Sequence, residues 1–505
     1  MATEVYGIDL GTTNSCIAVM GDDGLPHVIQ NGEGFYTTPS VVYYSDDGVV
    51  FVGDEAKAQM QGDISRTVAF IKREMGNSNY HRTIDGEQIT PLKISAMILK
   101  KVVDDANRFR EDEGLPPIHK AVITVPAYFG NTEKELTRQA GELAGLEVLQ
   151  LIPEPTAAAI SYGASKLNGK TFMIYDLGGG TFDISIMRAD GEKFEELSND
   201  GDHRLGGVDW DITLLNHVLQ EQNVGVEYEE IQDSRDVGRM LIRAEQAKKN
   251  LSRNEQVRIN FTYKGKPVLG TVSREDFEDL MIDRVDETIT LMRKAIKNST
   301  VALKATDIQE IVLVGGSSYM PMISKAVQEA FPNAKIRLDA LQPDRAVAQG
   351  AAIYGYKLAN GLLKKEDVTR LTSRSYGIKC FINNEEKVSN ILQRGAKFGS
   401  ECSENFETRD AGQTSATISI YENSSHDKHA ELSRSVLLTS NALTWGAPVP
   451  AGTPIKVIMK ISEDGTLRVE GECYGHKATY DVEVEGASAS EREQARRDIE
   501  RKTIC

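Results

Sequence analysis

Two Gly/Thr-rich stretches, each introduced by an aspartate, hold the residues best suited to chemistry in this chain. The first is "DLGTTNSCIAV" from Asp9, and the second is "DLGGGTFDISI" from Asp176. Glycines leave backbone N–H groups uncovered, so successive amides can converge on an anion, and the hydroxyls of Thr12, Thr13 and Thr181 add donors. An aspartate beside such a phosphate cradle can hold Mg²⁺ through its water shell. One copy alone would be typical of a tight hairpin, but two copies favour binding of a polyphosphate.

Short apolar segments on both sides of each stretch must position these residues. "VYGI" at 5–8 and "CIAVM" at 16–20 flank the first stretch, and "FMIY" at 172–175 and "ISIM" at 184–187 flank the second. Each copy is therefore predicted to fold as a strand, a turn and a strand. We expect a duplicated fold whose two lobes each offer one hairpin to the same polyphosphate.

A third glycine signal lies in "IVLVGGSSYMPMISKAVQEAF" at 311–331. A buried strand there ends at Gly315 and Gly316, and Ser317 precedes a helical pattern of apolar residues. A strand that ends in Gly-Gly before a helix lets a flat or anionic ligand group approach the backbone. The signal is weak by itself. It predicts where the nucleoside end of the ligand would bind.

Composition limits the class of protein. The chain has 505 residues, of which 40% are hydrophobic and 26% charged, as in a soluble globular protein with more than one domain. The net charge of −17 argues against nucleic acid and anionic membranes as partners. We expect no signal peptide and no membrane helix, because no apolar run approaches about 18 residues. Five scattered cysteines without CxxC spacing favour reduced thiols and a cytoplasmic location.

A series of motifs in the first part of the chain points to a known family. "GIDLGTTNSCIAV", "AVITVPAYF", "IPEPTAAAISYG", "YDLGGGTFDISI", "RLGGVDWD", "IVLVGGSS" and "QPDRAVAQGAAIYG" follow one another in this order. Together they resemble the DnaK-type seventy-kilodalton heat-shock chaperones. The ATPase domain of that family belongs to the actin/hexokinase superfamily, in which two related lobes close over ATP. The resemblance implies a multidomain protein with a two-lobed α/β ATPase domain, an antiparallel β-sandwich and a short helix.

The resemblance also implies a site for ATP hydrolysis. Lys72, in "AFIKREMG", matches the catalytic lysine that holds the attacking water, and Thr181 would orient that water. Phosphoryl transfer requires mainly positioning and cations around a spreading negative charge, which agrees with these residue types. Three carboxylates would be catalytic with them and would surround a hydrated Mg²⁺, with a fourth nearby, and K⁺ is an additional expected ion. These carboxylates are Asp9, Glu154, Asp176 and, as the fourth, Asp183.

The nucleotide contacts implied by the resemblance extend to the adenosine end of ATP or ADP. Lys249, on the expected adenosine helix "AEQAKKNLS", and Tyr319 stand where many relatives have arginine. Lysine does not stack on a ring as arginine does, although tyrosine can, and we expect adenine to bind. The implied contact residues are Gly11, Thr12, Thr13, Asn14, Gly178, Gly179, Gly180, Thr181, Gly206, Gly207, Glu245, Lys248, Lys249, Ser252, Gly315, Gly316, Ser317 and Asp344.

Beyond residue 360 the pattern changes to short strands with alternating apolar residues. In "TPIKVIMKI", every second residue from Ile455 to Ile461 faces one way, and the chain is expected to reverse at Asp464 and Gly465. This part resembles the peptide-binding β-sandwich of the same family, most plainly at 448–472. The implied partners are unfolded or extended polypeptides, which bind largely through their backbone.

The resemblance places a peptide groove on the sandwich. Arg409 stands where relatives have a small residue arching over the peptide, so the usual apolar arch is not expected. Residues of the groove types are also ordinary sandwich core, and both interpretations stay open from the sequence. The implied groove residues are Ile378, Phe381, Phe406, Ala416 and Ile418.

Coupling between the two parts is expected to be weak. The linker "KKEDVTRLTSRS" offers only Val368 and Leu371 as apolar contacts, which stabilise docking by about 3 to 6 kcal/mol at best. Pro126 matches a switch proline of the family, but Lys134 replaces its arginine partner. We therefore expect nucleotide-driven docking of the two parts that is attenuated.

The last stretch, "ASASEREQARRDIERKTIC" at 487–505, is predicted to be a short charged helix. Its expected capping box runs from Ser490 to Glu493, and Ala495 and Ile499 are its main apolar residues. Relatives continue here into a helical lid. We expect a lidless member, from which client polypeptides dissociate quickly.

These observations predict a domain plan and a function. The ATPase domain would cover residues 1–360, with lobes at about 1–167 and 168–360, followed by a linker at 361–375, a sandwich at 376–486 and a helical tail at 487–505. The chain would be an ATP-dependent chaperone that works with a J-domain co-chaperone and a nucleotide-exchange factor. A nucleotide-gated scaffold without refolding activity remains an alternative. A small-molecule kinase and an actin-like filament protein fit less well, because neither plan includes a sandwich.

Overall fold

The computed structural model describes residues 2–62, 64–191, 193–231, 236–338, 342–364, 367–462, 465–482 and 486–505. The described chain forms a first α/β unit, a second α/β unit and a β unit. The first α/β unit contains strands β1 (Tyr6–Asp9), β2 (Asn14–Met20), β3 (Pro26–Val28), β4 (Thr38–Pro39), β5 (Val41–Tyr44), β6 (Val50–Val52), β7 (Thr67–Ala69), β8 (Arg82–Ile84), β9 (Glu87–Ile89), β10 (Lys120–Val125) and β11 (Glu147–Pro153), and helices α1 (Asp54–Gln59), α2 (Pro91–Asp112), α3 (Asn131–Leu143), α4 (Glu154–Tyr162) and α5 (Ala164–Leu167).

The second α/β unit and the β unit follow. The second unit contains strands β12 (Thr171–Leu177), β13 (Phe182–Asp190), β14 (Lys193–Asp202), β15 (Gln256–Tyr263), β16 (Lys266–Ser273), β17 (Glu310–Val314) and β18 (Lys335–Arg337), and helices α6 (Gly207–Glu221), α7 (Tyr228–Ile231), α8 (Val237–Leu251), α9 (Arg274–Leu280), α10 (Ile282–Lys297), α11 (Pro321–Ala330) and α12 (Ala346–Ala359). The linker strand, the β unit and the last helix are β19 (Val368–Thr369), β20 (Ser375–Ile382), β21 (Glu385–Leu392), β22 (Glu401–Glu407), β23 (Gln413–Asn423), β24 (His429–Glu431), β25 (Val436–Val449), β26 (Pro454–Ile461), β27 (Leu467–Cys473), β28 (His476–Val482) and α13 (Ala489–Glu500).

The two α/β units repeat one sheet plan. The first sheet has the order β11-β10-β1-β2-β3, and the second has the order β18-β17-β12-β13-β14-β19. In each, a central strand is antiparallel to the next strand and parallel to a later one, β1 with β2 and β10, and β12 with β13 and β17. Both Gly/Thr-rich stretches are the turns of the central hairpins. The predicted strand, turn and strand are therefore confirmed for both stretches.

Helices α4 and α12 pack together between the two sheets at very short range. A Cβ atom on Gly350 of α12 would lie 1.7 Å from the carbonyl oxygen of Ala157 in α4. A Cβ atom on Gly7 of β1 would lie 2.0 Å from the backbone nitrogen of Ala352. Side chains at these glycines would force the layers apart, so their absence lets the two sheets approach and brings the two hairpin turns to one cleft.

The β unit consists of two antiparallel sheets that share one apolar core. One sheet has the order β24-β21-β20-β23-β25 and the other the order β22-β26-β27-β28. In β26, Ile455 and Ile461 lie on the buried face, which confirms the alternation expected from the sequence. The following reversal includes Gly465, whose φ of 96° favours glycine, whereas Asp464 lies outside the described residues.

The β unit contacts both α/β units. Strand β19 pairs in parallel with β14 and so becomes an edge strand of the second sheet. The Arg394 guanidinium lies 3.1 Å from Asp200 of β14, and the Arg374 guanidinium lies 3.3 Å from Glu133 of α3. The Ser373 hydroxyl donates to the backbone oxygen of Phe129 at 2.7 Å. Polar groups therefore provide much of this docking.

Helix α13 packs on α2 and α3 of the first α/β unit. Its capping box uses Ser488 and Glu491, because the Ser488 side chain accepts from the Glu491 N–H. The expected box at Ser490 and Glu493 is wrong, since Ser490 already lies inside the first turn. The same S-x-x-E spacing occurs in both registers, and the helix starts at the earlier one. None of the helices in the described part of the chain is long and apolar enough to cross a membrane.

Candidate active site

A cavity of about 740 Å³ lies between the two α/β units. Both central hairpins reach it, and α8 and the turn after β17 form its other walls. Three expected nucleotide contacts, Gly180, Gly206 and Gly207, do not line it. The expected nucleotide contacts that line it are Gly11, Thr12, Thr13, Asn14, Gly178, Gly179, Thr181, Glu245, Lys248, Lys249, Ser252, Gly315, Gly316, Ser317 and Asp344.

The two hairpin turns face each other without room for further side chains. A Cβ atom on Gly179 would lie 2.1 Å from the Thr13 hydroxyl oxygen, and one on Gly180 would lie 2.2 Å from a methyl carbon of Thr12. The Gly178 N–H donates to the Thr181 oxygen at 3.0 Å and closes the second turn. The bare backbone that the sequence predicted is therefore required by the close contact of the hairpins, as well as by any anion between them.

Gly206 and Gly207 lie behind the second hairpin. The Gly207 N–H donates to the Gly178 oxygen at 3.0 Å, and the Val208 N–H donates to the Gly179 oxygen at 2.7 Å. Ser317 donates its hydroxyl hydrogen to the Gly178 oxygen at 2.8 Å. These bonds fix the second turn from its rear side.

Lys72 is buried at the floor of the cavity. It lies on a 3₁₀ turn (Ile71–Glu74) with 5% of its surface exposed, and its ammonium group forms an ion pair with Glu154, the first residue of α4. Burial would lower the pKa of Lys72, but Glu154 and Asp9 together raise it above the ordinary value. The lysine therefore keeps a positive charge inside the protein.

Buried carboxylates surround this lysine. Burial and the neighbouring Glu154 raise the pKa of Asp9 to about 7. Burial, followed by Glu154, also raises the pKa of Asp176 and of Asp183 well above the ordinary range. The Ala127 N–H donates to one oxygen of Asp183 at 2.7 Å, and the other oxygen is buried without a hydrogen-bond partner among the described residues. The raised pKa values show that ionising this cluster is unfavourable by itself, so a cation beyond Lys72 would stabilise its ionised form.

The donor set fits Mg²⁺ bound through water. All four groups are carboxylates, which are hard oxygen ligands, and Mg²⁺ keeps several of its waters when it binds proteins. Over the described ranges, no three His, Cys, Asp or Glu side chains converge closely enough to hold a metal ion directly. The unpartnered oxygen of Asp183 gives a water shell an acceptor.

The part of the cavity next to α8 contains an ion pair between the units. The Lys57 ammonium group of α1 lies 2.6 Å from Glu245 of α8, and Lys249 lies 2.6 Å from the other Glu245 oxygen. Burial opposes the effect, but Lys57 and Lys249 lower the pKa of Glu245 to about 2. Lys248 is buried and donates to the Gly207 oxygen at 2.7 Å.

Sequence reasoning missed two cationic residues at this site. Lys57 lines the cavity, and Arg73 bonds the Gly180 oxygen at 2.8 Å and Asp209 at 2.5 Å. Both connect the first α/β unit to the second. Their partners are far away in sequence, and only the adjacency of Arg73 to Lys72 could have drawn attention to it.

The expected groove residues divide between the core and the surface of the β unit. Ile378 and Ile418 are buried in the common core, whereas Phe406 and Ala416 are partly buried at its margin. Phe381 is 49% exposed, and the Arg409 guanidinium stacks over its ring at 4.4 Å from the centroid.

The expected coupling residues lie where the units meet. Val368 and Leu371 are buried, and the Leu371 N–H donates to Glu196 of β14 at 3.0 Å. Pro126 follows β10, and the N–H of the next residue, Ala127, donates to Asp183. Lys134 lines a second cavity, of about 1060 Å³, between the first α/β unit, the linker and the β unit.

Comparison with known proteins covers the same three units. A family model described as Hsp70 protein matches residues 5–503. The Chaperone protein DnaK of Halobacterium salinarum, in strains R1 and NRC-1, is 35% identical over 505 aligned positions, which cover 98% of this chain and 77% of each relative. The chain belongs to the Hsp70 family. Hsp70-family proteins are ATP-dependent chaperones of the stress response, so this chain is an ATPase and a chaperone of the DnaK type. The resemblance stated from the motifs is confirmed.

Proposed function

We propose that the two α/β units are the lobes of an actin-like ATPase domain, at about 1–167 and 168–360, which hydrolyses ATP in the cavity between them. The observation that carries this proposal is the arrangement of two Gly/Thr-rich hairpins facing one cavity with a buried lysine at its floor. The linker at 361–375 then leads to a sandwich at 376–486 that binds polypeptide, and the helical tail follows at 487–505.

The residues of the chain contribute mainly by position and charge. The hairpin amides and the hydroxyls of Thr12 and Thr13 bind and orient the phosphate groups. Lys72, held by Glu154, orients the attacking water and compensates negative charge as it spreads over the phosphate oxygens, and Thr181 helps to position that water. Mg²⁺, held through water by the carboxylates, supplies further neutralisation of the phosphates when it is bound. K⁺ remains an additional proposed ion.

We also propose that clients bind the β unit as extended polypeptide. The second half of β20, from residue 379 to 382, pairs with β21 but not with β23, and β22 pairs only with β26 among the described strands. These free strand edges allow backbone hydrogen bonds to a client of almost any sequence. The exposed ring of Phe381 under Arg409 provides an adjacent apolar contact. The finer assignment of Ile378, Phe406, Ala416 and Ile418 to a groove remains a proposal.

The partners and the location follow from the family. We propose a J-domain co-chaperone, a nucleotide-exchange factor and a cytoplasmic location. These proposals rest on family membership.

Single-turnover ATP hydrolysis tests the proposal. Lys72→Ala should abolish hydrolysis, whereas Lys100→Ala, which alters a lysine of α2 that does not line the cavity, should leave it unchanged. Extended apolar peptides should accelerate hydrolysis by the intact chain. Hydrolysis that persists in Lys72→Ala would contradict the assigned site. Hydrolysis that no peptide changes would favour a nucleotide-gated scaffold.

A further inference from the structure

Residues 487–505 make an extensive contact with the first α/β unit that the nucleotide site does not explain. We propose that this segment is a clasp, which holds the β unit against the first α/β unit by completing the sheet β6-β5-β7, with or without nucleotide. Three features support the proposal: a backbone pairing, a buried anchor and a short connection to the β unit.

The backbone pairing lies at residues 503–505. The Val50 N–H donates to the Thr503 oxygen at 3.0 Å, the Val52 N–H donates to the Cys505 oxygen at 2.9 Å, and the Cys505 N–H donates to the Val50 oxygen at 3.0 Å. Strand β6 is at the edge of its three-stranded sheet, and Ile504 lies beside Val50 in parallel register. An edge strand exposes unpaired backbone groups, so the added segment satisfies groups that would otherwise need another partner.

The buried anchor is the last part of α13. Ile499 is 3% exposed and belongs to the apolar core of the first α/β unit. Beside it, Asp498 lies 3.1 Å from the ammonium group of Lys93, which is itself only 2% exposed and also pairs with Glu87 at 2.8 Å. A buried ammonium group needs its carboxylate partners, so departure of the helix would expose Lys93 and remove one of its two carboxylates. Lys502 adds a second contact to Glu87 at 3.1 Å.

The connection to the β unit is short. Strand β28 ends at Val482, and the Ala487 N–H already donates to the Gln139 side chain of α3 at 3.0 Å. Five residues span at most about 18 Å. While α13 stays on the first α/β unit, the end of the β unit must therefore stay close to it. This constraint acts within one chain and gives the β unit a high effective concentration at its docking surface.

The residues that the clasp contacts lie outside the lining of the nucleotide cavity, although β5 and β7 of the same sheet contribute Val41 and Ala69 to it. Val50, Val52, Glu87, Lys93 and Gln139 do not line that cavity. Nothing in the clasp itself therefore requires nucleotide. We infer that the clasp keeps the β unit docked in the nucleotide-free chain, while the pairing of β19 with β14 is a separate attachment to the second α/β unit.

Limited proteolysis of the linker at 361–375 and hydrogen exchange at β6 test the clasp. Deletion of residues 487–505 should raise the linker cleavage rate of the nucleotide-free chain about tenfold, because cleavage follows the population of the undocked state. It should also accelerate exchange in the peptide that contains Val50 and Val52. Retained single-turnover ATP hydrolysis would show that the two α/β units still fold.

A matched pair of variants isolates the added strand. Cys505→Pro removes the N–H that donates to Val50, whereas Cys505→Ser keeps it. We expect faster exchange at Val50 and Val52 in Cys505→Pro and parental exchange in Cys505→Ser. The proposal is overturned if the deletion leaves linker cleavage in the nucleotide-free chain unchanged. It is also overturned if the proline and serine variants exchange alike.

Discussion

Raising the pH from 7 to 9 should strengthen docking of the β unit, because a half-buried lysine lies where the units meet. Lys134 of α3 faces the cavity between the first α/β unit and the linker, and its ammonium group lies 5.9 Å from the centroid of the Phe398 ring. Burial, followed by repulsion from Arg370, lowers the pKa of Lys134 to about 8, although nearby carboxylates act in the opposite direction. The charged groups around it are Arg370, Glu422, Glu133 and Glu196.

The sign follows from the two states of the chain. When the β unit and the linker move away, burial and Arg370 are both reduced, and the pKa of Lys134 returns toward the ordinary value of 10.5. The docked state thus binds the proton more weakly. Docking is favoured fully above about pH 10.5 and is progressively weakened as the pH falls toward 8. The full shift corresponds to a docking constant about tenfold larger at pH 9 than at pH 7, and partial exposure of Lys134 makes this an upper bound.

Fluorescence energy transfer between a label in the β unit and one in the first α/β unit, which carries Lys134, would measure docking across this range. Lys134→Met removes the titrating group but keeps the length of the side chain, so its docking should be independent of pH between 7 and 9. His426, at the contact of the β unit with the second α/β unit, does not interfere, because burial and Arg394 lower its pKa below 6.5. Equal pH dependence in the parent and Lys134→Met, or weaker docking at pH 9, would refute the reasoning.

Three further substitutions test other parts of the chain. Gly179→Ala places a Cβ atom 2.1 Å from the Thr13 hydroxyl oxygen and should weaken ATP binding about tenfold in a fluorescent-nucleotide titration; unchanged affinity would contradict the facing hairpins. Gly350→Ala places a Cβ atom 1.7 Å from a carbonyl oxygen of α4 and should lower the free energy of unfolding, measured by urea denaturation, by about 3 kcal/mol. An unchanged free energy of unfolding would contradict the close contact of the two helices. Arg409→Ala removes the stack on Phe381, worth about 1 kcal/mol, so an extended apolar peptide should associate about fivefold faster by fluorescence anisotropy; slower association would argue that Arg409 contacts the peptide.

The local patterns of the sequence predicted the two central hairpins well. The strand, turn and strand at Asp9 and Asp176 depend only on neighbouring residues. The repetition of the Gly/Thr-rich stretch implied that both turns face one ligand. Lys57 and Arg73 could not be found in this way. Their roles depend on Glu245 and Asp209, which lie on the other α/β unit, and nothing local distinguishes them from surface cations.

The linker shows why counting apolar residues was insufficient. Val368 and Leu371 are buried, as a docking linker would require, but the neighbouring attachments are backbone and charged groups. The Leu371 N–H binds Glu196, and Arg374 binds Glu133. Those acceptors come from β14 and α3, so their proximity depends on the tertiary fold. The attenuated response to nucleotide that the polar linker suggested stays a prediction.

The attachments of the β unit to both α/β units have a mechanical consequence. The pairing of β19 with β14 and the contact of Arg394 with Asp200 join it to the second unit. Residues 487–505 and Arg374 join it to the first. The nucleotide cavity lies between these units, so any rotation that opens the cavity changes the distance between the two sets of attachments. Because packed interfaces are not continuously deformable, one set must then release. We therefore expect opening of the cavity and full docking of the β unit to exclude each other, which would link exchange of the bound ligand to the position of the β unit.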